Sequence, residues 1–238
     1  MHRNATRTGI VRRSLQARLA IKEWKNRLQG SPAFIIGNGP SLNHCNLKLI
    51  EPFFSIGVNR CYLEGGIDPC VLIWQDLSLF NSQYSQLHVL RAIKISRDIS
   101  DPKKLYYNFH VRGGDYHFDP STPHILYGRG STGPLAVQLA VSFGCSPIIL
   151  LGMDCKRGEH GESDFYGENK YWVESTIKNC LKGLYFIKDE CPVEVINCSN
   201  NELWIRQTLE EVVEQIDSKH KLGRQGYVAK LLNLSSQI

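Results

Sequence analysis

Nowhere does the sequence stay apolar for the roughly 20 residues a bilayer-spanning helix requires, and its first residues lack the apolar stretch of a secretory signal. Cysteines are present at 45, 61, 70, 145, 155, 180, 191 and 198, yet no pair has C-x-x-C spacing. That scatter excludes the usual zinc-site patterns, and we expect buried thiols in a reducing compartment, with no disulfide frame. A cytoplasmic location follows as the expectation, with a peripheral membrane association as a further option. Neither G-x-G-x-x-G nor a Walker-type lysine loop occurs, so the dinucleotide and P-loop fingerprints do not apply. Internal repeats and low-complexity segments are also missing. Acidic residues are scarce at the start: up to Gly30 there are eight Lys and Arg residues and one acid, Glu23.

That basic stretch carries a net charge of about +7 by formal counting, so the rest of the chain is slightly acidic. Leu15, Leu19, Ile21 and Trp24 stand at spacings that fit one stripe of a helix. Three readings stay open: a basic helix packed on the domain, a docking arm for an anionic surface, and a transit-type segment. The division we expect is a basic N-terminal helical arm over 1–30, a nucleotide-binding transferase domain over 31–217, and a basic C-terminal extension over 218–238. The extension shows no clear core pattern. The arm is expected to be dispensable, with the core surviving deletion of residues 1–29.

Within the central part, short β-like runs alternate with helix-like ones. Strands are predicted at 33–37, 54–58, 70–75, 91–96, 105–109, 147–151 and 193–197. Helices are predicted near 46–51, 79–88, 131–144, 170–189 and 203–216, and a Gly/His/Asp-rich loop through 112–124. This alternation predicts an α/β fold: a Rossmann-like, mostly parallel sheet with helices on both faces, in a single domain.

The most informative segment is Phe-Ile-Ile-Gly-Asn-Gly-Pro-Ser-Leu, residues 34–42. An apolar run stops at Gly37, and glycines at 37 and 39 let backbone N–H groups approach a bound group closely. Pro40 fixes the exit, and Ser41 can cap a turn or donate to an oxygen. In open α/β sheets ligands bind beyond the carboxyl ends of the strands. Gly37, Asn38, Gly39 and Ser41 follow the first strand, Asn59 the second, Asp76 the third, and Asp154 the strand at 147–151. Ser131, Thr132 and Gly133 open a helix, where N–H groups and hydroxyls favour an anion. Taken singly, Ser131 or Thr132 reads equally as an N-cap and Asn59 as a turn residue. Together they predict a nucleotide pocket.

The blocks Gly-Asn-Gly-Pro-Ser-Leu (37–42), Val-Asn-Arg (58–60), Ser-Thr-Gly (131–133) and Leu-Gly-Met-Asp (151–154) resemble two related groups. One is the 6-hydroxymethylpterin diphosphokinase MptE-like family, which includes motility accessory factor-like and phage members. The other is the bacterial sialyltransferases that use CMP-sialic acid. The resemblance runs from about residue 33 to 200. It implies that Asn38, Gly39 and Ser41 hold a nucleotide or its phosphates, that Asn59 meets the ribose or base side, and that Ser131, Thr132 and Gly133 contact the donor. Asp154 would face the same cleft, and Asp76 matches an acidic position of the pterin-kinase-like members. The tyrosine pair that assists the departing CMP in the sialyltransferases is missing after Asp154. Asp164 stands where many members of the broader family carry a histidine before an aromatic–Gly pair. The chain is therefore nearer the broader family.

The expected function is a nucleotide-dependent transferase, glycosyltransferase-like, taking a CMP-sugar-like donor and an acceptor hydroxyl of a glycan or small molecule. His160 is the expected base, since an imidazole titrates near neutral pH, although a loop histidine without a role fits the same residue. Lys156 and Arg157 are candidates to neutralise a leaving phosphate. Asp76 and Asp154 complete the expected catalytic set. This reaction requires no cofactor, and no metal site is expected. The alternative is diphosphate transfer from ATP, with Mg²⁺ on carboxylates such as Asp76 and Asp154. His110, His117 and His124 with Asp115 and Asp119 match no zinc spacing. A non-catalytic nucleotide-binding module is the third possibility.

Overall fold

The computed structural model describes residues 20–63, 66–101, 106–128, 130–169 and 173–233. Eight strands form one sheet: β1 (Ala33–Ile36), β2 (Phe54–Val58), β3 (Val71–Trp74), β4 (Ile93–Arg97), β5 (Tyr107–Arg112), β6 (Ile125–Tyr127), β7 (Ile148–Leu151) and β8 (Val195–Asn197). Their order is β6-β5-β4-β3-β2-β1-β7-β8, and every neighbouring pair is parallel. The central strands β1, β2, β3 and β7 are buried at every position. This is why they read as continuous apolar runs: parallel strands covered on both faces have no solvent side for polar alternation.

Five α-helices lying wholly among the described residues cover the sheet: α1 (Leu77–Val89), α2 (Thr132–Ser142), α3 (Glu174–Glu190), α4 (Leu209–Gln215) and α5 (Gly223–Leu232). Two core layers result. Ala33 and Ile35 of β1 pack in the layer that holds Leu135 of α2, Leu184 of α3 and Tyr227 of α5. Phe34 and Ile36 point the other way, into the layer with Leu79 and Phe80 of α1 and Leu209 of α4. The period-2 alternation of Cβ directions produces this split. The expected Rossmann-like α/β fold is present.

Local differences have physical causes. The short helix expected near 46–51 is a 3-10 turn, Leu47–Ile50. Strand β6 follows directly on the loop at 112–124. Its edge is closed by the buried Gln138 of α2, which donates to the Tyr127 carbonyl at 2.7 Å and accepts from the Tyr127 N–H at 2.9 Å. A side-chain amide thus supplies what a further strand would. Helix α4 begins at Leu209, not near 203. Residues 202–204 bend, Arg206 bridges to Asn197 with the Gln207 N–H donating to the Asn197 carbonyl, and Thr208 with Glu211 forms a capping box.

The C-terminal extension is ordered through α5, against the expectation of no core pattern. Tyr227 and Leu231 are fully buried, one turn apart on a helix with only these two fully covered positions. Two positions are too few to mark an amphipathic stripe in sequence.

The basic stretch needs a similar correction where it is described. Ile21, Trp24 and Leu28 are buried in the core. The Trp24 ring meets Tyr107 at 4.8 Å and Phe143 at 5.8 Å, and Arg27 Nη1 donates to the Leu231 carbonyl at 2.8 Å. Leu15 and Leu19 lie outside the described residues. Deletion of residues 1–29 is therefore expected to lower the melting temperature by more than about 10 °C. Removing a buried Trp alone costs about 3–5 kcal/mol, at roughly 2–4 °C per kcal/mol for a domain of this size. A truncated protein that melts within a few degrees of the full chain would show the segment to be a detachable arm after all.

Candidate functional site

The chain builds β1 to β6 in one direction, then returns to lay β7 on the other side of β1. The carboxyl ends of β1 and β7 therefore form the switch point of the sheet, where the connecting loops diverge and leave a crevice. The two loops run close together there. Gly37 N–H donates to the Leu151 carbonyl at 2.7 Å, and Gly39 N–H to the Gly152 carbonyl at 2.8 Å. This contact demands glycine: a Cβ on residue 37 would stand 2.2 Å from the Gly152 oxygen, and one on residue 39 would stand 2.4 Å from Asp154 Oδ2. Above them opens a pocket of about 390 Å³, within the range of small-ligand clefts.

Gly37, Asn38, Gly39, Asn59, Asp76, Ser131, Thr132, Gly133 and Asp154 all line this pocket. Asn38 donates to the Val58 carbonyl at 3.1 Å, which leaves its Oδ1 buried without a partner. Asn59 adopts a left-handed backbone (φ 53°), as asparagine tolerates, and its Oδ1 accepts from Thr132 Oγ1 at 3.4 Å. Gln75 donates to the same Thr132 hydroxyl at 3.2 Å. Ser131 is the N-cap of α2, but its side chain makes no capping bond. Pro134, the third residue of the helix, has no N–H to lose. The first turn of this buried 11-residue helix thus faces the pocket with the positive end of its dipole and with N–H groups that no N-cap side chain takes up. Asp76 precedes α1 with an exposed carboxylate that does not cap it.

Asp154 is only 4% exposed, and both of its oxygens are engaged. Oδ2 accepts from the Ser41 N–H at 2.8 Å. Oδ1 accepts from Ser41 Oγ at 2.6 Å and from the Asn200 N–H at 2.8 Å. The carboxylate braces the glycine loop to the β7 and β8 loops. Ser41 belongs to that brace, buried behind the pocket and not among its lining residues. The loop itself leads into a 3-10 turn, Pro40–His44.

His160 is exposed and outside the pocket; its N–H donates to Glu162 at 2.9 Å. Arg157 is likewise outside, paired with Glu168 at 3.0 Å, whereas Lys156 lines the pocket and reaches Glu202 at 3.2 Å. Of the residues once grouped for a metal, His110 meets Asp98 at 3.0 Å and Lys182 meets Asp115 at 2.8 Å. Among the described residues no three His, Cys, Asp or Glu side chains gather to hold a metal ion.

Sequence reasoning missed a second group in the same pocket: Arg60, Asp164, Tyr166 and Asn169. Asp164 is 6% exposed, and its Oδ2 and the Arg60 Nε are both buried without partners. Burial pushes the Asp164 carboxyl above the usual carboxylate range, against hydrogen bonds from Asn169 and Tyr166 and the charge of Arg60. Burial likewise drives the Tyr166 phenol upward, with Asp164 adding to it and Arg60 opposing it. The Asp-Phe-Tyr-Gly string was the available signal, legible in sequence only as a departure from a histidine.

A further correction concerns cysteine. Cys155 and Cys180 are joined as a disulfide in the pocket wall. They lie 25 residues apart, and their meeting depends on the left-handed backbone of Cys155 and on α3 returning over the sheet. The other six cysteines are free thiols.

Fold and site together define a doubly wound α/β protein with a ligand pocket at its switch point. Over residues 13–159, more than half of its length, the sequence matches the family described as 6-hydroxymethylpterin diphosphokinase MptE-like. The chain belongs to that family. No curated protein matches it. Among solved structures it is similar to the MAf glycosyltransferase of Magnetospirillum magneticum, with 17% identity and a TM-score of 0.49 over 91% of this chain and 41% of that one. It thus spans well under half the length of that protein. It is also similar to the sialyltransferase CstII of Campylobacter jejuni, solved with cytidine-5'-monophosphate: 17% identity and a TM-score of 0.46, over 82% of this chain and 87% of that one. Among the described residues no helix is long and apolar enough to cross a membrane.

Proposed function

We propose that this protein is a nucleotide-dependent transferase that moves a group from a nucleotide-activated sugar to an acceptor hydroxyl. One observation carries the reading: the Gly37–Gly39 loop and the amino end of α2 face the same switch-point pocket. That arrangement seats a phosphate with backbone N–H groups and a helix dipole and needs no lysine loop. Gly133 and Thr132 would take the leaving phosphate, with Lys156 and Arg60 as the cations lining the pocket. Asn59 and Asn38 would meet the nucleoside side. Asp154 would hold the loop in place, with Ser41, and take no part in the chemistry.

In this reading the transfer proceeds without a metal ion. An ion bridging phosphates is commonly held by one or two carboxylates. Both oxygens of Asp154 accept protein hydrogen bonds, whereas Asp76 and the Asp164 Oδ2 remain open among the described residues. The family match supports the second reading, diphosphate transfer from ATP to a hydroxymethyl group. In that case Asp76 with the phosphate oxygens would hold Mg²⁺, and the ion would supply charge neutralisation at the phosphates. The basic charge up to Gly30 would add a salt-sensitive attraction to an anionic surface; exposed Lys22 and Lys25 are its described carriers.

The test is a thermal-shift panel of CMP, CDP, UDP, GDP and ATP with the full chain. At 100-fold excess over Kd, binding adds about 2.7 kcal/mol, or several degrees. We expect at least one nucleotide to do so and the shift to persist in EDTA. A shift that vanishes in EDTA selects the diphosphokinase. None at millimolar nucleotide rejects both.

A further inference from the structure

We propose that Asp164, beside Tyr166 and Arg60 in the pocket, is the group that accepts the proton of the acceptor hydroxyl. The inference rests on the transferase reading above and names the acceptor side of the same pocket. Its starting point is an unmet hydrogen-bond requirement. Asp164 Oδ2 is buried beside the pocket with no partner among the described residues. A buried acceptor left open carries a desolvation cost, which a ligand hydroxyl would relieve. The same pocket leaves the Arg60 Nε without an acceptor.

The other candidates lack this combination. Both Asp154 oxygens are filled, Asp76 stands exposed at the rim, and His160 is outside. The cluster around Asp164 is also set up to keep the carboxyl in place. Its Phe165 neighbour donates its N–H to the Asn38 carbonyl at 2.8 Å, and residues 164 and 167 close a tight turn. Tyr166 and Arg60 stand beside Asp164 in the pocket wall and act on its charge. The groups acting electrostatically on Asp164 are Arg60, Glu168 and the hydrogen-bonding Tyr166 and Asn169. Burial outweighs Arg60, so the carboxyl is a stronger base than an exposed aspartate would be.

In the step itself the hydroxyl oxygen of the acceptor forms a bond to the donor carbon attached to the nucleotide phosphate. The carbon–oxygen bond to that phosphate breaks, and its electron pair leaves with the nucleotide. The hydroxyl proton passes to Asp164 Oδ2 and then to water. In the diphosphokinase reading the hydroxyl oxygen bonds to the β-phosphorus of ATP, the bond from that phosphorus to the AMP oxygen breaks, AMP leaves with the electron pair, and the proton passes to Asp164 in the same way.

The experiment compares wild type with Asp164→Asn and Asp164→Glu. Nucleotide release is followed from CMP-, UDP- and GDP-sugars and from ATP, with glycerol as the acceptor alcohol, across pH. Nucleotide affinity is measured alongside by the thermal shift of the panel above. We expect Asp164→Asn to keep that affinity within a few-fold and to lose about 100-fold or more in release, the usual contribution of a positioned base. The acid side of the wild-type profile, where rate falls as the carboxyl protonates, should disappear with it. Asp164→Glu should restore part of the rate with that acid limb shifted. A stability readout has the opposite sign. A carboxyl raised in the folded state stabilises below its unfolded value near pH 4 and loses that contribution as pH rises through the folded value. Asp164→Asn should therefore melt higher than wild type at pH 7 and gain nothing near pH 3. Release unchanged in Asp164→Asn, or an unchanged acid limb, overturns the proposal and leaves the nucleotide seat standing. So does a wild type that binds a nucleotide yet releases none from any donor. No nucleotide binding at all overturns the underlying transferase reading instead.

Discussion

Replacing Asp154 with alanine is expected to cost about 3–5 kcal/mol of stability, since three buried donors lose their acceptor at about 1–3 kcal/mol each. Three donors would be stranded at once: the Ser41 N–H, the Ser41 hydroxyl and the Asn200 N–H. They come from the loop after β1 and the loop after β8, so the loss would release both from the β7 loop. At roughly 2–4 °C per kcal/mol for a chain of this length, the melting temperature should fall by about 10 °C or more. Nucleotide-induced stabilisation should go with it. The measurement is the melt with and without the panel nucleotide. A variant that melts like wild type and binds the nucleotide, yet has lost turnover, would restore Asp154 to the catalytic role that its sequence position suggests.

The second large effect is expected from Gly37→Ala. The new methyl would stand 2.2 Å from the Gly152 oxygen and 2.8 Å from its carbonyl carbon. Both are backbone atoms at the end of a buried strand, so no side-chain rotation relieves the overlap. The β1 and β7 loops must part, at the cost of the 2.7 Å bond from Gly37 N–H to the Leu151 carbonyl. Overpacking of this kind costs about 1–3 kcal/mol or more, and the phosphate seat opens with it. We expect a loss of several degrees in melting temperature and at least about 10-fold in nucleotide affinity. Titration of the variant by calorimetry checks the second figure. Wild-type affinity in Gly37→Ala would mean that the ligand does not rest on this loop.

Strand by strand, the sheet was readable from sequence because its centre is buried on both faces. Ile148–Leu151 and Val71–Trp74 have no polar residue to mislead a reader, and each ends at the residue that enters the pocket loop. The Gly-Asn-Gly-Pro turn was readable from its turn residues, although what demands glycine at 37 and 39 is the distant Gly152 and Asp154. Helix α2 announced itself by an apolar run behind Ser131, and its amino end is in the pocket where that reading put it. Helix α5 did not, since its attachment rests on Tyr227 and Leu231 alone.

From sequence alone came the α/β class, the strands and the residues that collect at their carboxyl ends, because hydrophobic periodicity and turn chemistry act between near neighbours along the chain. The tertiary structure alone decided how those residues divide the work. Asp154 and Ser41 are 113 residues apart and became a buried brace; Cys155 and Cys180 were joined across the pocket wall. His160 turned outward, while Asp164 turned inward beside Arg60 and Tyr166. Each of these outcomes depends on which oxygen finds a donor and which is left dry, and those partners come from segments far apart in the chain, meeting only after β7 is laid against β1.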